Sequence, residues 1–376
     1  MSTKGFDPKQ IPIAIGSVFV VVAIMICIII FGKTTSIPKD NTDTTKNYKE
    51  PGTSETTKAT TTEYTRASTT ASEYKNTGAI IVQGDRAMEI FGLNENGMKR
   101  YAGYICAFAE KVPDINVYML IAPTSIEFYG PEEYHTDRRS QKAGIEAAYG
   151  AITAKNVKGV DAYKELNRYV DEEYVYFRTD HHWTTRGAYH AYVAFSKTAG
   201  FKPTKLEDHE KGQFDTFVGT LYAWSGASIL KEKPDYLEYF FPICETTAVR
   251  YPNGYIKDEE AIPMKVINEN PAVGKYTCFI DGDNPVTKIT TTANTGRKIV
   301  VIKESYGNSF VPWICDNFDE VWVIDPRKVN EKANEIDLKS FCNEYGITDV
   351  LFLNYIFACT NDQSYIPEFN RLLGNT

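Results

Sequence analysis

Three consecutive residues that can transfer protons or bind metals, Asp180, His181 and His182, stand between a predicted strand and a predicted helix. Two of the five histidines of the chain lie in this short segment. A carboxylate two residues before a histidine can orient the imidazole and stabilise its protonated form, as a general base requires. The alternatives are a metal site or a strand end that has a capping aspartate and a packed histidine. Adjacent histidines on a strand point to opposite faces, which disfavours the metal.

A serine stands at a second junction, where a strand turns into a helix. Ser305 follows the apolar run at 298–302 and precedes the residues Tyr-Gly-Asn-Ser. A serine at such a turn has the layout of an activated nucleophile, because its backbone N–H and those nearby can face a developing oxyanion. The alternative is structural, since Ser305 or Ser309 can also serve as the N-cap of a helix.

Two further polar residues follow predicted strands. Asn354 comes directly after the apolar run 349–353, and its amide is a candidate oxyanion donor as well as a candidate loop former. Arg327 comes shortly after the run 320–324 and could bind a carboxylate or stack on a sugar, unless residues 325–327 only form a turn. Parallel strands end at the same edge of their sheet, so we expect these side chains to meet the serine there.

The elements that must position these residues alternate between strands and helices. We predict strands at 79–82, 116–122, 174–178, 298–302, 320–324 and 349–353, and helices at 97–111, 144–154 and 186–198. This order predicts an α/β fold, a three-layer sandwich with a mainly parallel sheet. Residues 201–294 are rich in proline, glycine and aromatic residues and show weak periodicity, which predicts an insertion or a β-rich subdomain over one face.

The N-terminal part differs in composition from the rest. Residues 11–32 carry no charged side chain, and as a helix they would span roughly 30 Å, the thickness of a bilayer core. We therefore expect a cytoplasmic tail at 1–10, a transmembrane helix at 11–32, a Thr-rich disordered linker at 33–76 and a catalytic domain at 77–376. The positive-inside signal is weak, but the large acidic domain favours an extracellular C-terminus.

Composition excludes several classes of function. The formal net charge is −8 and no stripe of lysine and arginine is present, so nucleic acid is not an expected partner. The seven cysteines include no C-x-x-C pair, which argues against a zinc site. The six cysteines outside the predicted span can form disulfides or remain buried thiols. We predict neither a metal nor a cofactor.

Four segments resemble elements of a known family. Residues 180–188 resemble the DHHW protein family, named for this tetrapeptide, and more distantly the SGNH-like domains of alginate O-acetylation proteins, which carry D-x-H-W and T-x-x-G-A. Residues 303–313, KESYGNSFVPW, are similar to the family's serine element, with Glu304 where aspartate is usual. Residues 219–226 and 324–327 also resemble family elements. The serine element follows the Asp–His element, the reverse of common SGNH hydrolases, and their GDS and GxND blocks are not intact.

The resemblance implies an SGNH-hydrolase-like fold with a permuted motif order, with Ser305 as nucleophile, His182 as general base and Asp180 as its orienting partner. It also implies a membrane-anchored, extracellular O-acetyltransferase or O-acetylesterase acting on a cell-surface polysaccharide. Such relatives often work beside a multi-spanning membrane acyltransferase, which is the implied partner. The candidates for oxyanion or substrate contacts are Asn354, Tyr306, Arg327 and Trp183.

Two other functions fit the same residues. A non-catalytic wall-binding or scaffold protein on the same fold would explain the altered GDS block, and it predicts that Ser305→Ala leaves the phenotype intact. A metal-dependent hydrolase at Asp180 and His182 predicts a bound metal and loss of activity with a chelator.

Overall fold

The computed structural model of the chain describes residues 75–76, 78–256, 260–271, 274–329 and 336–375. The predicted cytoplasmic tail, the predicted transmembrane helix and the predicted linker as far as residue 74 lie outside these residues. Lys75–Asn76, the last two residues of that linker, form a short strand. Within the described ranges, none of the helices combines the length and the apolar character needed to cross a membrane.

The strands of the described residues form three sheets. In chain order they are β1 (Lys75–Asn76), β2 (Ile80–Gln83), β3 (Arg86–Glu89), β4 (Asn116–Ala122), β5 (Val157–Val160), β6 (Lys211–Phe217), β7 (Asp235–Phe240), β8 (Thr246–Tyr251), β9 (Ile262–Met264), β10 (Val286–Thr291), β11 (Lys298–Lys303), β12 (Glu320–Ile324) and β13 (Asp349–Tyr355).

The large sheet has the strand order β5-β4-β13-β11-β12-β10-β8-β9. Its first five strands are parallel to one another, and β10, β8 and β9 complete it in antiparallel pairing. The predicted α/β class with a mainly parallel sheet is therefore confirmed. The predicted strands at 116–122 and 320–324 coincide with β4 and β12, because strands buried on both faces form continuous apolar runs.

Helices cover both faces of this sheet. They are α1 (Glu95–Glu110), α2 (Ile126–Tyr129), α3 (Gln141–Gly150), α4 (Ala162–Asn167), α5 (Thr185–Ala199), α6 (Thr220–Ser225), α7 (Ser228–Glu232), α8 (Val311–Ile314), α9 (Leu338–Tyr345) and α10 (Tyr365–Leu372). On β13, Phe352 packs against Phe108 of α1 and Phe369 of α10. On β4, Tyr118 is in register with Leu351, the residue before Phe352 in β13. Successive side chains of a strand alternate between the two faces, so Tyr118 lies on the face opposite to Phe352, where it packs against Phe195 of α5.

Helix α5 begins directly after the Asp–His segment, and its sequence sets both of its ends. The Thr184 hydroxyl accepts a hydrogen bond from the Gly187 N–H as the N-cap, and Gly200 ends the helix in a left-handed conformation. A Cβ atom at Gly187 would lie 2.3 Å from the carbonyl oxygen of Val175. The T-x-x-G spacing therefore lets the helix start pack closely against the chain segment that precedes the site.

The predicted strand at 174–178 is wrong. Its residues Tyr174 to Phe177 are buried, as the apolar run suggested, but their backbone joins no ladder beyond a single bridge from Tyr176 to Trp183. The chain instead bends at residues 178–182 and folds back on itself, so that the Thr184 N–H donates to Val175 O. A segment that other side chains bury on both sides has the same apolar sequence pattern as a strand buried within a sheet.

Residues 201–294 divide between two sheets. Strands β6 and β7 form a separate antiparallel pair, whereas β8, β9 and β10 extend the large sheet at its edge. A third sheet, β1-β2-β3, carries a small apolar cluster that it shares with α6 and α7; the buried members are Ile80, Val82, Ala87, Leu221 and Leu230. Residues 201–294 therefore form partly an edge of the large sheet and partly a cover over the ends of its parallel strands.

Candidate active site

One hydrogen-bonded chain joins the three predicted catalytic side chains. His182 Nδ1 lies 2.6 Å from Asp180 Oδ1, and His182 Nε2 lies 2.8 Å from Ser305 Oγ. The carboxylate can only accept at Nδ1, so the proton is on Nδ1 and Nε2 is left to accept the serine proton. Asp180 and His182 are buried, whereas Ser305 is partly exposed. This arrangement can generate a serine nucleophile that a substrate can reach.

Ser305 comes two residues after the end of β11, at the carboxyl edge of the parallel strands. It starts a single 3-10 turn, Ser305–Gly307, whose N-cap is Glu304. The buried Glu304 carboxylate accepts from the N–H of Tyr306 at 3.0 Å and from the N–H of Tyr355 at 2.9 Å, which ties the turn to β13. Ser305 is the first residue of this turn, where a backbone N–H has no partner within the turn, so its N–H is a donor that can face an oxyanion.

A buried carboxylate, Asp235 at the start of β7, organises the bend that carries the histidine. It accepts hydrogen bonds from the backbone N–H groups of Arg178 and Thr179, from the Thr179 hydroxyl and from the Tyr174 hydroxyl. Arg178 also forms an ion pair with it at 3.0 Å. Because the bend has no ladder partner, Asp235 takes over much of the role of a sheet in fixing the two residues before Asp180.

The segment 219–226 holds the far side of Asp180. Thr220 donates its backbone N–H and its hydroxyl to Asp180 Oδ2, at 2.9 and 3.1 Å. A Cβ atom at Gly219 would lie 2.2 Å from the Asp180 Cβ, so only glycine permits this approach. Burial alone would raise the pKa of Asp180, but His182 and these hydrogen bonds hold that pKa well below its usual range.

His181 lies beside His182 rather than opposite to it. The two ring centroids are 3.8 Å apart, and the ligand atoms of Asp180, His181 and His182 lie within 4.8 Å of one another. The expectation that adjacent histidines diverge is therefore wrong here, because the segment is a bend and not a strand. Burial, together with the nearby His182, lowers the pKa of His181 to about 3, so its ring is neutral. A metal at this cluster would have to displace the hydrogen bonds of Asp180 and the His182–Ser305 contact.

Tyr276, from the 201–294 region, contacts both partners of the proton transfer. Its ring stacks on the His182 ring, with centroids 3.9 Å apart and planes inclined by 13°. Its hydroxyl donates to the carbonyl oxygen of Ser305 at 3.0 Å. Sequence reasoning missed this residue, because no local pattern distinguishes it among 25 tyrosines.

Trp183 and Tyr306 join the histidine bend to the serine turn. The Trp183 indole donates to Tyr306 O and to Ser309 Oγ, both at 3.0 Å, and the Tyr306 hydroxyl donates to His181 O. Both rings are fully buried. The prediction that they contact substrate or oxyanion is therefore wrong, and they fix the distance between the two halves of the site.

Asn354 belongs to the core instead of the site. It lies within β13 and is completely buried, on the same face as Phe352. Its Oδ1 accepts from the Tyr101 hydroxyl at 2.7 Å, and its Nδ2 donates to the Tyr365 hydroxyl at 2.6 Å. The prediction of an oxyanion donor is wrong, because the amide faces α1 and α10 and is already engaged there.

Arg327 is engaged by carboxylates of the chain itself. It forms a fork with Asp325, at 3.0 and 2.7 Å, and contacts Asp283 at 2.8 Å. Asp283 in turn binds Lys303 at the end of β11, at 3.0 Å. The arginine therefore braces the strand end that carries Ser305, and its contact with substrate stays a prediction.

Comparison with known proteins identifies a family and several solved structures to which the chain is similar. A family model described as DHHW protein matches residues 41–324. A DHHW family protein from Eubacterium siraeum, solved as a crystal structure, is 30% identical, with 81% of this chain and 98% of that chain covered and a TM-score of 0.71. Bacillus cereus PatB1, solved with a sulfonyl adduct, is 18% identical, with coverages of 75% and 96% and a TM-score of 0.61. The O-acetyltransferase domain of Pseudomonas putida AlgJ is 13% identical, with coverages of 79% and 96% and a TM-score of 0.43. No curated protein sequence matches the chain.

Proposed function

The chain belongs to the DHHW protein family, and from that membership and its site geometry we propose that it is an acyl-transfer enzyme with Ser305 as nucleophile. The observation that carries the proposal is the position of His182, whose two ring nitrogens bridge Asp180 at 2.6 Å and Ser305 at 2.8 Å. A structural serine needs no such base, and a packed histidine needs no serine partner.

The geometry supports a two-step mechanism. His182 Nε2 takes the Ser305 proton while Oγ attacks the acyl carbonyl of the donor, and the Ser305 N–H stabilises the oxyanion. The protonated His182 then gives this proton to the leaving alcohol, and acyl-Ser305 remains. In the second step a hydroxyl group loses its proton to His182 and attacks the acyl carbon, and Ser305 Oγ leaves with that proton. Asp180 holds the Nδ1–H tautomer throughout.

We further propose that the acyl group is acetyl and that the second hydroxyl belongs to a cell-surface polysaccharide, or to water if the enzyme is an esterase. The resemblance of residues 180–188 and 303–313 to elements of alginate O-acetylation domains supports this choice. In this proposal the fold is SGNH-like with a permuted motif order, and residues 11–32 and 33–76 tether the catalytic domain outside the cell membrane. A multi-spanning membrane acyltransferase would supply the acetyl group.

Turnover of 4-nitrophenyl acetate by the full chain tests the proposal. We expect Ser305→Ala and His182→Ala to lower kcat roughly 10³-fold or more, whereas Ser340→Ala, an exposed serine in α9, leaves it unchanged. A chelator should have no effect. Turnover that survives Ser305→Ala would overturn the nucleophile, loss of turnover with chelator would favour a metal-dependent hydrolase, and a wild type that never forms acetyl-Ser305 would favour a scaffold protein.

A further inference from the structure

A carboxyl group that the proposed mechanism does not use lies beside the site. Glu89, the last residue of β3, is partly exposed, but its Oε2 atom is buried and has no hydrogen-bond partner among the described residues. Strand β3 is fastened along the histidine bend, because the Ala87 N–H donates to Arg178 O at 2.9 Å and Arg86 Nη1 donates to Phe177 O at 2.9 Å. The strand therefore directs Glu89 toward the part of the bend that contains Asp180.

Carboxylates from both halves of the site influence Glu89. Burial raises the pKa of Glu89 to about 8, and the neighbouring carboxylates of Asp180 and Glu304 contribute to this. Burial raises the pKa of Tyr355, and Glu89 contributes to this. At neutral pH the carboxyl is therefore mostly uncharged, and an uncharged carboxyl can both donate and accept a hydrogen bond.

Aromatic rings line the same side. The Trp224 ring stacks on His181, with centroids 5.1 Å apart, and the Tyr355 ring lies 6.2 Å from His181. All three side chains are partly exposed. We call His181, Trp224 and Tyr355 the aromatic wall. Because His181 adjoins the base His182, the wall lies next to the reacting atoms.

Glu89 and the wall share one support. Ala87 and Glu89 are two residues apart in β3 and so point to the same face of the small sheet. On that face Ala87 packs in the small apolar cluster with Leu221 of α6, and Trp224, three residues further along α6, packs against the same cluster. The small sheet and α6 therefore present a hydrogen-bonding carboxyl and an aromatic ring together.

From this arrangement we propose that Glu89 and the aromatic wall bind the acyl-accepting sugar, with a ring face of the sugar on Trp224 and one of its hydroxyls on Glu89. The inference rests on the proposed function. Partly exposed aromatic rings with one convergent polar group are the usual lining of a small-ligand site. Asp180 and Glu304 are close, so they disfavour an anionic group here, and the sugar unit that binds is one without charge.

The bound sugar would take part only in the second step. Its hydroxyl attacks the acyl carbon of acyl-Ser305, its proton passes to His182 Nε2, and Ser305 Oγ leaves with a proton from the same nitrogen. Glu89 orients a neighbouring hydroxyl and neither gains nor loses a proton overall. Removal of this contact should therefore reduce transfer to sugar more than it reduces acylation of Ser305.

The test measures two quantities with the full chain and 4-nitrophenyl acetate as donor. The first is the rate of acetyl-Ser305 formation, followed by mass spectrometry. The second is the share of acetyl groups that reach cellotetraose, a neutral oligosaccharide, instead of water. We expect Glu89→Ala and Trp224→Ala each to lower the transfer-to-hydrolysis ratio roughly 10-fold, through a higher KM for cellotetraose. Glu89→Gln, which retains hydrogen-bonding groups, should restore most of the ratio, and the exposed-surface variant Glu146→Ala should not change it.

The outcomes separate this inference from the proposed function. If acetyl-Ser305 forms and the ratio is the same in wild type, Glu89→Ala and Trp224→Ala, the sugar site is overturned while the nucleophile stands. If acetyl-Ser305 forms but wild type transfers nothing to cellotetraose, the sugar site is also overturned. If acetyl-Ser305 does not form in wild type, the proposed function itself fails.

Discussion

Ser305 and His182 are positioned by two parts of the molecule that work in different ways. Ser305 stands at the end of β11, which pairs with β13 on one side and β12 on the other through regular parallel ladders. Backbone hydrogen bonds therefore set its position, and side chains only brace the turn. A strand in the middle of a parallel sheet gives a reactive group a fixed place without any special residue.

His182 has no ladder to rely on. Its bend is held by a backbone hydrogen bond from β3 and, for the most part, by groups of the 201–294 region. Asp235 holds the preceding residues, Thr220 holds Asp180, and Tyr276 stacks on the ring. The comparison shows that the large sheet positions Ser305, whereas the 201–294 region, here called the covering region, contributes most to the position of His182. Variants of the covering region should therefore disturb the base more than the nucleophile.

The largest expected effect comes from Asp235→Asn, compared with Asp349→Asn. Both aspartates are fully or almost fully buried and paired with an arginine, but Asp349 lies at the opposite end of the parallel strands from Ser305. Each variant should lose about 3 kcal/mol of unfolding free energy, because the amide carries no charge for the arginine and cannot accept all the hydrogen bonds that the buried carboxylate accepts. Only Asp235→Asn should also lower kcat, by roughly 10³-fold, because the bend moves.

Urea unfolding and turnover of 4-nitrophenyl acetate, measured where both variants are folded, check this pair. Equal losses of kcat in the two variants would break the comparison, since the activity would then depend on stability alone.

Gly219→Ala should have the next largest effect. The new Cβ would meet Asp180 and push it away from His182, so we expect kcat to fall roughly 10²-fold. The matched control is Gly103→Ala, at an exposed position in α1 with open space around it, which should retain activity and gain about 0.5–1 kcal/mol in stability. Full activity of Gly219→Ala would show that the close approach to Asp180 is not needed.

Two substitutions of Tyr276 distinguish the stacking of its ring on His182 from its hydrogen bond to Ser305. Tyr276→Leu removes both contacts and should lower kcat about 10-fold, whereas Tyr276→Phe keeps the ring and should lower it only about 3-fold. Equal losses of kcat in the two variants would assign the role of Tyr276 to its hydrogen bond with the Ser305 carbonyl.

The smallest effect concerns Glu89, which the charges of both halves influence. Its pKa is about 8 in the folded chain, above the ordinary carboxyl value of 4.5, so the folded chain holds a proton that the unfolded chain has lost between these pH values. Stability due to this group is therefore present below about pH 4.5 and is lost as the pH rises toward 8. The urea midpoint should fall less between pH 5 and pH 8 in Glu89→Gln than in wild type. The difference will be modest, because Glu89 is partly exposed and solvent screens its charge. Equal falls would contradict the raised pKa.

Local patterns were sufficient for the parts of the fold that depend on local burial. The strands at 116–122 and 320–324 could be read to the residue, because each is a short apolar run buried on both faces. Residues 174–177 are also apolar and buried, yet they join no ladder, because a sequence does not show which backbone groups lack a ladder partner. Ser305 was found from its position after a strand and from a family motif, whereas Asp180 and His182 were found from a family motif and from a predicted strand that the structure does not contain.

The remaining site residues depend on contacts across the chain. Tyr276, Asp235 and Glu89 reach the site from segments with weak periodicity or from another sheet, so no spacing marks them. Asn354 was misplaced because a residue at the end of a strand faces one of two sides, and the alternation from Phe352 turns its amide toward α1.

Labelling by phenylmethanesulfonyl fluoride tests the central claim most directly, since this reagent sulfonylates an activated serine. Intact-mass and peptide mass spectrometry of the full chain should show one sulfonyl group on Ser305 in wild type and in Ser340→Ala, and none in Ser305→Ala. In His182→Ala the labelling rate should fall roughly 10³-fold, because Nε2 no longer accepts the serine proton. Labelling at an equal rate with and without His182, or on a residue other than Ser305, would contradict the account.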